Sequence, residues 1–417
     1  MRPRKRRTPR DTAPRVVVVG AGFAGLTAAR VLARAGARVT LVDRERYSTF
    51  QPFLYQVATA GLSSSDVSYP LRVFAARYPG LKVERASLAK PRLAERRVLL
   101  DDGSSLEYDY LILATGVTTN WYGVPGAIEH AYPLYTVRDA VKVRDRMLSL
   151  LEATAAGHRQ SCHMVVVGGG ATGVETAGTL AELRRRALPL TFPEIGEAAS
   201  SVSLVERLDH VLAPYIPSMR AAAAFALGRR GVRLRLGTAV ARIEPDAVVL
   251  DDGTRIASDI TIWAVGVVAA PEVADWGLPQ TRGGRVSVTE ALNLADHPEV
   301  FVAGDLAATP KPLPQLAQPA LQTGEHVARQ VLALATGRPA APFHYRDRGT
   351  MAVVGRGDAV FQLPGRRPVG IRGFVAWLAW MLLHIGYLLG GRNRVNVLTN
   401  FLWRYGGPRR NAATVIE

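Results

Sequence analysis

The chain has 417 residues, of which 48% are hydrophobic and 21% charged. This composition suits roughly two to three packed globular domains and excludes a disordered or fibrous protein. A single cysteine, Cys162, excludes a disulfide framework, a thiolate zinc site and a dithiol redox pair. The net charge is +17, but residues 1–15 carry +6 of it and residues 366–417 carry +7.

The position of this charge bears on the partners of the protein. The 350 residues between the two ends carry only +4, so they lack the basic stripe that is typical of nucleic-acid binding, and we expect no nucleic-acid partner. Basic ends beside apolar, aromatic-rich segments suit an anionic membrane surface. Solvated tails in an arginine-rich chain are the alternative.

The first motif follows the basic arm. Residues 16–19 predict a buried strand that leads into a glycine turn instead of a cleavage site, so we expect no secretory signal. Gly20, Gly22 and Gly25 form a G-x-G-x-x-G pattern between this strand and a predicted helix. The pattern is the fingerprint of dinucleotide binding, in which the pyrophosphate lies on the helix N-terminus. The next strand ends at Asp43, whose carboxylate can accept hydrogen bonds from a ribose; a plain glycine turn is the alternative.

The motif recurs at an offset of about 150 residues. The glycines return as Gly168, Gly170 and Gly173, the Asp-Asp-Gly turn at 101–103 returns at 251–253, and segment 109–116 returns at 259–266. Three landmarks in the same order indicate two copies of one βαβ-plus-hairpin unit. The sequence therefore predicts an α/β fold with two Rossmann-like dinucleotide-binding domains.

The second copy indicates a nicotinamide site. Its second strand ends at Glu206, and a carboxylate there holds the 2′-hydroxyl of NADH and repels the 2′-phosphate of NADPH. Arg207 follows it and keeps NADPH open, since arginine can accept that phosphate. Two dinucleotide sites in one chain suggest a flavoprotein with FAD in the first site and NADH in the second.

The order of the motifs predicts the domains. A strand that ends in Gly304-Asp305 would return the chain to the first domain, so the NADH domain is expected as an insertion in the FAD domain. The predicted domains are a basic arm at 1–14, an FAD domain at 15–125 and 290–365, an NADH domain at 126–289, and C-terminal membrane-anchoring helices at 366–417.

The C-terminal segment predicts a membrane anchor. Its apolar run, 374–389, is interrupted only by His384 and spans ~24 Å as a helix, short of the ~30 Å hydrocarbon core. The next segment places Val395, Leu398, Leu402 and Tyr405 at helical intervals. Half of the six tryptophans lie in this region, as is typical of a lipid–water interface. We expect a monotopic anchor in one leaflet; a packed dimer interface is the alternative.

From about Arg15 to Tyr405 the sequence resembles the type II NADH dehydrogenases, single-subunit NADH:quinone oxidoreductases that pump no protons. Residues 50–60 resemble the family's loop beside the flavin, residues 317–322 match its A-Q-x-A-x-Q quinone motif, and residues 377–398 resemble its membrane-facing C-terminus. The departures are the basic arm and the residues at the two variable positions of the quinone motif, Pro319 and Leu321.

The resemblance implies a set of site residues. FAD and NADH would be held by Gly20, Gly22, Phe23, Ala24, Gly25, Asp43, Arg44, Ser48, Gln51, Ala114, Thr115, Gly116, Gly304, Asp305, Ala317, Gly168, Gly170, Thr172, Gly173, Glu206 and Gly266. No cluster of metal ligands is expected among the eight scattered histidines.

Three further residues are candidates for catalysis. The resemblance places Glu175 beside the nicotinamide and the flavin, where it can orient substrate or relay protons; a carboxylate that only favours the helix dipole is the alternative. Gln318 and Gln322 are four residues apart, so they share one helix face and their amides can donate to a quinone carbonyl. Ordinary polar residues of a helix are the alternative for this pair.

The resemblance implies the function as well. Hydride would pass from NADH to FAD, and two electrons would then pass to a membrane quinone, ubiquinone or menaquinone. The protein would be a homodimer on the cytoplasmic face of the cell membrane, attached to the anionic surface by its C-terminal helices. The alternatives are an NAD(P)H-dependent reductase of another quinone-like acceptor, and a flavin-binding protein whose redox state switches an interaction through the basic tails.

Overall fold

The computed structural model of the protein describes residues 13–406. The predicted basic arm therefore lies almost entirely outside the described residues, and so do residues 407–417 of the predicted anchor. The helices are α1 (Phe23–Arg34), α2 (Leu54–Ala58), α3 (Leu71–Ala75), α4 (Ala127–His130), α5 (Val137–Ala155), α6 (Ala171–Glu182), α7 (Leu188–Thr191), α8 (Pro217–Arg229), α9 (Ala317–Ala335), α10 (Phe374–Tyr387) and α11 (Gly391–Gly406).

The strands of the first half are β1 (Arg15–Val19), β2 (Arg38–Asp43), β3 (Tyr47–Thr49), β4 (Ser68–Pro70), β5 (Leu81–Arg85), β6 (Leu88–Arg92), β7 (Arg97–Leu100), β8 (Ser105–Glu107), β9 (Tyr110–Leu113), β10 (Thr118–Thr119), β11 (Ala131–Pro133) and β12 (Cys162–Val167). Those of the second half are β13 (Ser200–Glu206), β14 (Val232–Leu236), β15 (Val240–Glu244), β16 (Ala247–Leu250), β17 (Arg255–Ala257), β18 (Ile260–Trp263), β19 (Val267–Val268), β20 (Val286–Ser287), β21 (Val300–Val302), β22 (Ala307–Ala308), β23 (Thr350–Gly355), β24 (Asp358–Leu363) and β25 (Val369–Gly373).

The first compact unit contains residues 13–48, 69–118 and 268–347. Its central sheet has the order β21-β9-β1-β2-β5, and all of its strands are parallel. Parallel strands are buried on both faces, which explains the unbroken run of valines in β1. An antiparallel sheet, β6-β7-β8, carries the predicted Asp-Asp-Gly turn.

The second unit contains residues 49–68, 119–267 and 348–406. Its parallel sheet has the order β11-β18-β12-β13-β14, in which β18-β12-β13-β14 repeat β9-β1-β2-β5 of the first sheet. The edge strands differ, because β11 precedes the glycine-turn strand along the chain whereas β21 follows all the other strands of its sheet. The antiparallel sheet β15-β16-β17 repeats the hairpin. The predicted α/β fold with two Rossmann-like domains is confirmed.

The two units divide the chain at other points than the domain boundaries that we predicted. Residues 49–68 group with the second unit because α2 packs against α5 and α6. Residues 348–365 do so because β23 packs on α6, where a Cβ added to Gly178 would overlap the carbonyl oxygen of Val354. Both are contacts between distant segments, which local sequence patterns do not reveal.

The C-terminal helices α10 and α11 expose much of their apolar surface. Among the described residues, none of the helices combines the length and the apolar character that crossing a bilayer requires. The predicted apolar face of α11 points outward, with Val395 59% and Leu402 60% exposed, whereas Val397 and Phe401 are buried. Asparagines hold this helix to the chain: Asn396 and Asn400 donate to the Asp66 carboxylate at 3.4 and 3.3 Å.

Candidate functional site

The carboxyl ends of four parallel strands gather predicted site residues in the first unit. Gly20 follows β1, Asp43 ends β2, Ala114 follows β9, and Gly304 lies just after β21. Because these strands are parallel and adjacent, all four positions share one edge of the sheet. In open α/β sheets, ligands bind in the crevice at this edge.

The glycine turn after β1 leaves room for a bound group. Gly20 has φ +101°, and a Cβ there would overlap the carbonyl group of Ala114, so only glycine fits. Gly25 lies against the Gly20 carbonyl in the same way, whereas a Cβ on Gly22 would meet no atom within 4 Å. The N-terminus of α1 has no side-chain cap, so its N–H groups are available to a pyrophosphate.

Asp43 closes the other side of this turn. Its carboxylate accepts hydrogen bonds from Ala21 N at 2.6 Å and from Glu45 N at 2.7 Å. Burial raises the pKa of Asp43, and the two backbone N–H groups and Arg44 partly offset that rise. The loop thus fixes a carboxyl group beside the glycine turn, where it can accept hydrogen bonds from a ribose. The uncapped helix, the open space over Gly22 and this acceptor together fit the adenosine pyrophosphate half of FAD.

The strand β21 brings a second carboxyl group to this edge. Burial raises the pKa of Asp305 to about 6, and Arg285 opposes the rise. The backbone N–H of Gly304 donates to the Thr323 hydroxyl at 3.0 Å, which ties this turn to α9. Helix α9 begins at Ala317, again without a side-chain cap.

The other residues predicted for this cofactor have varied surroundings. Phe23 is the first residue of α1, and Ala24 behind it is buried. Arg44 is exposed and lies 3.8 Å from Glu272. Of the remaining four, Ser48 is buried, Gln51 begins a short 3-10 helix in the second unit, Thr115 is exposed and Gly116 has φ +72°.

The second unit repeats the glycine turn after β12. Gly168 has φ +108°, and a Cβ there would overlap the carbonyl group of Ala264. Gly173 lies against the Gly168 carbonyl, and a Cβ on Gly170 would meet no atom within 4 Å. Helix α6 has no side-chain cap at its N-terminus, where Thr172 is exposed. This turn has the same free N–H groups and open space as the first, so it also fits a pyrophosphate.

Glu206 repeats the role of Asp43. Its carboxylate accepts from Gly169 N at 2.6 Å and from Leu208 N at 2.9 Å. Its neighbour Arg207 is exposed. At the same edge of the sheet, Gly266 follows β18 with φ +137°. A carboxylate fixed in this way fits the ribose hydroxyls of NADH better than the phosphate of NADPH.

Glu175 is a buried carboxyl group on α6. It is 8% exposed, and its Oε1 accepts from Val353 N on β23 at 3.3 Å. Burial raises the pKa of Glu175 to about 8, more than this hydrogen bond lowers it. The carboxyl group is therefore mostly protonated at pH 7 and can hold a proton. Its aligned position in the first unit, Thr27, is also buried but carries no charge.

The two glutamines of α9 lie on one face as predicted, near the N-terminus of the helix. The Gln322 amide makes two hydrogen bonds to one backbone residue: its Nε2 donates to Arg346 O at 2.9 Å and its Oε1 accepts from Arg346 N at 3.0 Å. Gln318 is half-buried one turn earlier. Gln322 therefore holds the backbone of the irregular segment around residue 346, a contact that its sequence pattern did not indicate.

An aromatic cluster joins the loop at 50–60 to the C-terminal helices. Phe53 lies at its centre, with ring centroids 5.5 Å from Trp380, 6.0 Å from His384 and 5.8 Å from Phe401. The His384 ring stacks on Trp380 at 4.2 Å, and its Nδ1–H donates to the Trp380 carbonyl at 2.7 Å. Burial lowers the pKa of His384 to about 4, so the imidazole is neutral at pH 7.

The described residues include neither an accessible thiol nor a cluster of metal ligands. Cys162 is fully buried, and burial raises the pKa of its thiol to about 12. Within residues 13–406, no group of three or more His, Cys, Asp or Glu side chains is arranged to hold a metal ion.

Sequence reasoning missed some residues that shape the site. Gly324 allows α9 to approach α1 so closely that a Cβ there would overlap the Ala24 backbone. Thr323, beside it, holds the Gly304 turn. A glycine inside a helical pattern is a usable signal of such close packing, whereas the backbone contact of Thr323 leaves no signature in the sequence.

Comparisons with known proteins agree with this geometry. The profile of the pyridine nucleotide-disulphide oxidoreductase family matches residues 14–324. The type II NADH:quinone oxidoreductase Ndh of Mycobacterium tuberculosis is 34% identical, over 97% of this chain and 90% of that protein. A second protein from the same organism, NdhA, is 35% identical over 93% of this chain and 86% of its own length.

Solved structures show the same fold. The NDH2 of Plasmodium falciparum, solved in complex with NADH, superposes with a TM-score of 0.87 at 18% identity, covering 95% of this chain and all of that one. At this level of identity the likeness concerns the fold alone.

Proposed function

The chain belongs to the type II NADH:quinone oxidoreductases, within the pyridine nucleotide-disulphide oxidoreductase family, and on that premise we propose where its cofactors, its quinone and its membrane bind. It is an FAD-dependent enzyme that takes hydride from NADH and reduces a quinone without pumping protons. The single observation that carries the site assignment is the pair of equivalent turns, each with open space over its central glycine and a carboxylate at the end of the next strand.

FAD occupies the turn at Gly20 in this proposal, and NADH occupies the turn at Gly168. When bound, the flavin accepts hydride from NADH and later supplies two electrons to the quinone. The chain's own groups hold these partners: α1 and α6 present free N–H groups to the pyrophosphates, and Asp43 and Glu206 accept from the ribose hydroxyls. Asp305 would accept from the FAD ribityl chain or contact its pyrophosphate.

Glu175, Gln318 and Gln322 are the proposed catalytic residues. Neutral at pH 7, the Glu175 carboxyl group can hold a proton for the nicotinamide and flavin region. Gln318 can donate its amide N–H to a quinone carbonyl, and Gln322 sets the surroundings of that amide through its two bonds to Arg346. An uncharged donor suits the quinone because it does not favour a fixed charge on it.

The half-reactions test these roles. The purified enzyme is mixed with NADH without oxygen, and a short-chain quinone follows while the flavin absorbance is recorded. Gln318→Ala is expected to leave bleaching by NADH within about twofold of the parent and to slow recovery with quinone about tenfold or more, the size of one lost hydrogen bond to a reacting group. Gln322→Ala is expected to slow recovery and also to lower the melting temperature, because Arg346 loses both hydrogen bonds. Equal slowing of both half-reactions would contradict the quinone assignment.

The membrane and the oligomer belong to the same proposal. The exposed apolar residues of α10 and α11 would enter one leaflet on the cytoplasmic face of the cell membrane, where anionic lipids attract the basic ends of the chain. We propose a homodimer as well, and light scattering in detergent measures its mass.

The quinone is ubiquinone or menaquinone. Steady-state kinetics with both headgroups on tails of equal length distinguishes them.

One relative is the demethylphylloquinone reductase NdbB of Synechocystis, which is 27% identical over 94% of this chain. Its name is the reason to test a second class of quinone acceptor in the same assay. A naphthoquinone that restores the flavin absorbance at least ten times faster than a benzoquinone would favour that alternative.

A further inference from the structure

A basic cavity of about 370 Å³ lies in the second unit. Five arginines line it together with two carboxylates: Arg185, Arg186, Arg229, Arg230, Arg356, Glu182 and Asp358. The carboxylates are already engaged, because Asp358 accepts from Arg230 at 3.1 Å and Glu182 accepts from the backbone N–H of Arg356 at 3.0 Å. The cavity keeps an excess of three positive charges. Such an excess favours an anionic ligand.

An irregular turn of helix builds this cavity. After Glu182, α6 continues into a π-helical turn over Leu183–Ala187, a feature that often marks functional sites. Arg184 points inward and donates to the Ser200 carbonyl at 2.8 Å, whereas Arg185 donates to the Arg229 carbonyl at 2.7 Å at the end of α8. The wide turn therefore directs the side chains of Arg184 and Arg185 to different sides of the helix.

Arg186 is the residue that the turn leaves available. It is exposed, and its guanidinium makes no hydrogen bond or ion pair with any residue in the part of the chain that the structure describes. An arginine offers five N–H donors in a planar fork that matches two phosphate oxygens. Among the described residues, no protein group accepts a hydrogen bond from the Arg186 guanidinium in this cavity.

An apolar groove of about 620 Å³ adjoins the cavity. Its apolar lining comes from both C-terminal helices: Phe374, Trp377, Met381, Leu398, Phe401 and Leu402. Arg186 and Arg356 line the groove as well as the cavity, so the basic surface passes directly into the apolar one. A ligand that fills both must be charged at one end and apolar at the other.

We propose that the cavity binds the phosphate headgroup of an anionic phospholipid and that the groove holds part of its acyl chain. The assignment rests on the membrane attachment proposed above and gives it a specific lipid site. Free inorganic phosphate would satisfy the arginines but leave the groove without a ligand. The two shared arginines therefore favour the lipid.

Vesicle binding of the full-length protein tests the site. The probes are vesicles of phosphatidylcholine alone and vesicles in which 30% is replaced by phosphatidylglycerol. We expect the parent protein to bind the anionic vesicles at least about tenfold more tightly than the neutral ones. Arg186→Gln/Arg229→Gln should bind the anionic vesicles at least about fivefold more weakly than the parent, and the basic ends of the chain account for the preference that remains. The matched control is Arg233→Gln/Arg235→Gln, which removes two exposed arginines of β14 outside the cavity and should keep the preference within about twofold.

The outcomes separate this site from the membrane proposal. A parent protein that binds neither vesicle contradicts the membrane proposal itself. Equal binding to both vesicles, or an equal loss in the test and control variants, overturns the lipid site while the apolar attachment stands. Release by 10 mM phosphate, but not by sodium chloride of equal ionic strength, would mean that the cavity takes free phosphate and that the lipid assignment is wrong. Turnover with a soluble short-chain quinone, expected to be unchanged in both variants, verifies that they are folded.

Discussion

A carboxyl group placed without a charged partner is the clearest functional sign at the scale of single residues. Glu175 is buried on α6, and a single backbone N–H, that of Val353, approaches it at 3.3 Å. Desolvation penalises the ionised form, which raises the pKa of Glu175 to about 8. The equivalent position of the first unit is the uncharged Thr27, so the fold itself requires no acid there. Burial of a carboxyl group at this position of the second unit therefore has a desolvation cost that the fold does not demand. That cost is understandable if the proton of Glu175 is used in the reaction.

Glu175→Gln tests this protonation through the pH dependence of stability. The unfolded chain ionises this group near pH 4.5 and the folded chain near pH 8, so between these values only the unfolded state has lost the proton. The parent's free energy of unfolding should therefore fall as pH rises across this window, by up to about 1.4 kcal/mol per unit from this group. The glutamine variant should lack that component in urea titrations from pH 5 to 9. The exposed control Glu129→Gln should behave as the parent, and identical slopes for parent and Glu175→Gln would contradict the raised pKa.

At the same scale, we assign to Glu206 the discrimination between NADH and NADPH. Its carboxylate is fixed by Gly169 N and Leu208 N, so it cannot turn away from a 2′-phosphate. Glu206→Gln removes the charge and should raise the ratio of kcat/KM for NADPH to that for NADH about tenfold, as expected for one charge repulsion near a surface. Asp209→Asn, which removes an exposed charge from the following loop, should leave the ratio unchanged. An unchanged ratio in Glu206→Gln would remove Glu206 from the ribose site.

Close contacts at glycine fix the elements around each turn. Helix α9 meets α1 at Gly324, and β23 meets α6 at Gly178; in both places a Cβ would overlap backbone atoms of the partner. The nucleotide helix of each unit is thus held by a second element whose approach needs a residue without a side chain. These contacts keep the N-termini of α1 and α6 at the edges of their sheets.

Gly324→Ala measures one of these contacts. The added Cβ would overlap Ala24, so α9 must move and the free energy of unfolding should fall by about 1–3 kcal/mol, the usual cost of overpacking. Gly228→Ala is the matched control in α8, where a Cβ meets no atom within 4 Å. There alanine should stabilise the protein by roughly 0.4–1 kcal/mol, because glycine is the poorer helix former. Chemical denaturation gives both values, and equal changes would contradict the close contact.

The C-terminal helices carry the apolar surface that we assign to the membrane. Leu382 and Leu402 are 58% and 60% exposed, and Ile128 of α4, outside these helices, is 67% exposed. Leu382→Ser/Leu402→Ser should weaken binding to neutral phosphatidylcholine vesicles about tenfold or more, since each buried leucine contributes ~1.5–3 kcal/mol. Ile128→Ser should bind as the parent does. Loss of oligomer without loss of vesicle binding would instead favour the dimer interface.

At the scale of the whole molecule, one Rossmann-like unit is present twice, and we assign one cofactor to each copy. Each copy has its own sheet, turn and carboxylate. Gly22 and Gly170 have ordinary φ values of −76° and −70°, and a Cβ on either meets no protein atom within 4 Å. The chain alone therefore tolerates alanine at both positions, and any effect reports the group bound there.

The two alanine variants should have separate effects. Gly22→Ala should lower the ratio of flavin to protein absorbance, because its methyl group takes the space of the pyrophosphate. Gly170→Ala should keep its flavin and raise the KM for NADH about tenfold. Gly196→Ala, where a Cβ also meets no atom within 4 Å, should change neither. Flavin loss in Gly170→Ala, or full flavin in Gly22→Ala, would contradict the assignment of the two turns.

The sequence was sufficient for what local patterns encode. Glycine spacing and strand ends predicted both turns, and Asp43 and Glu206 end their strands as expected. Pairing across the chain was not predictable from those patterns. The arginine cavity collects residues from the end of α6 and the turn after it, from the end of α8, and from the turn between β23 and β24. Gln322 binds the backbone of Arg346, a contact that has no residue-type signature. The apolar residues of segment 49–68 indicate that the segment is buried, but they do not indicate which unit it joins.

The single thiol of the chain, Cys162, determines how the protein responds to thiol reagents. With its pKa near 12 and no exposed surface, it carries no appreciable thiolate at physiological pH. Peroxide, nitrosylating agents and alkylating drugs all attack accessible thiolates. Reductases that relay electrons through paired sulfhydryls stop when those groups are capped, but this chain offers no such target. Thiol modification is therefore not a route to inactivating it, and an inhibitor has to compete for a nucleotide, quinone or lipid position.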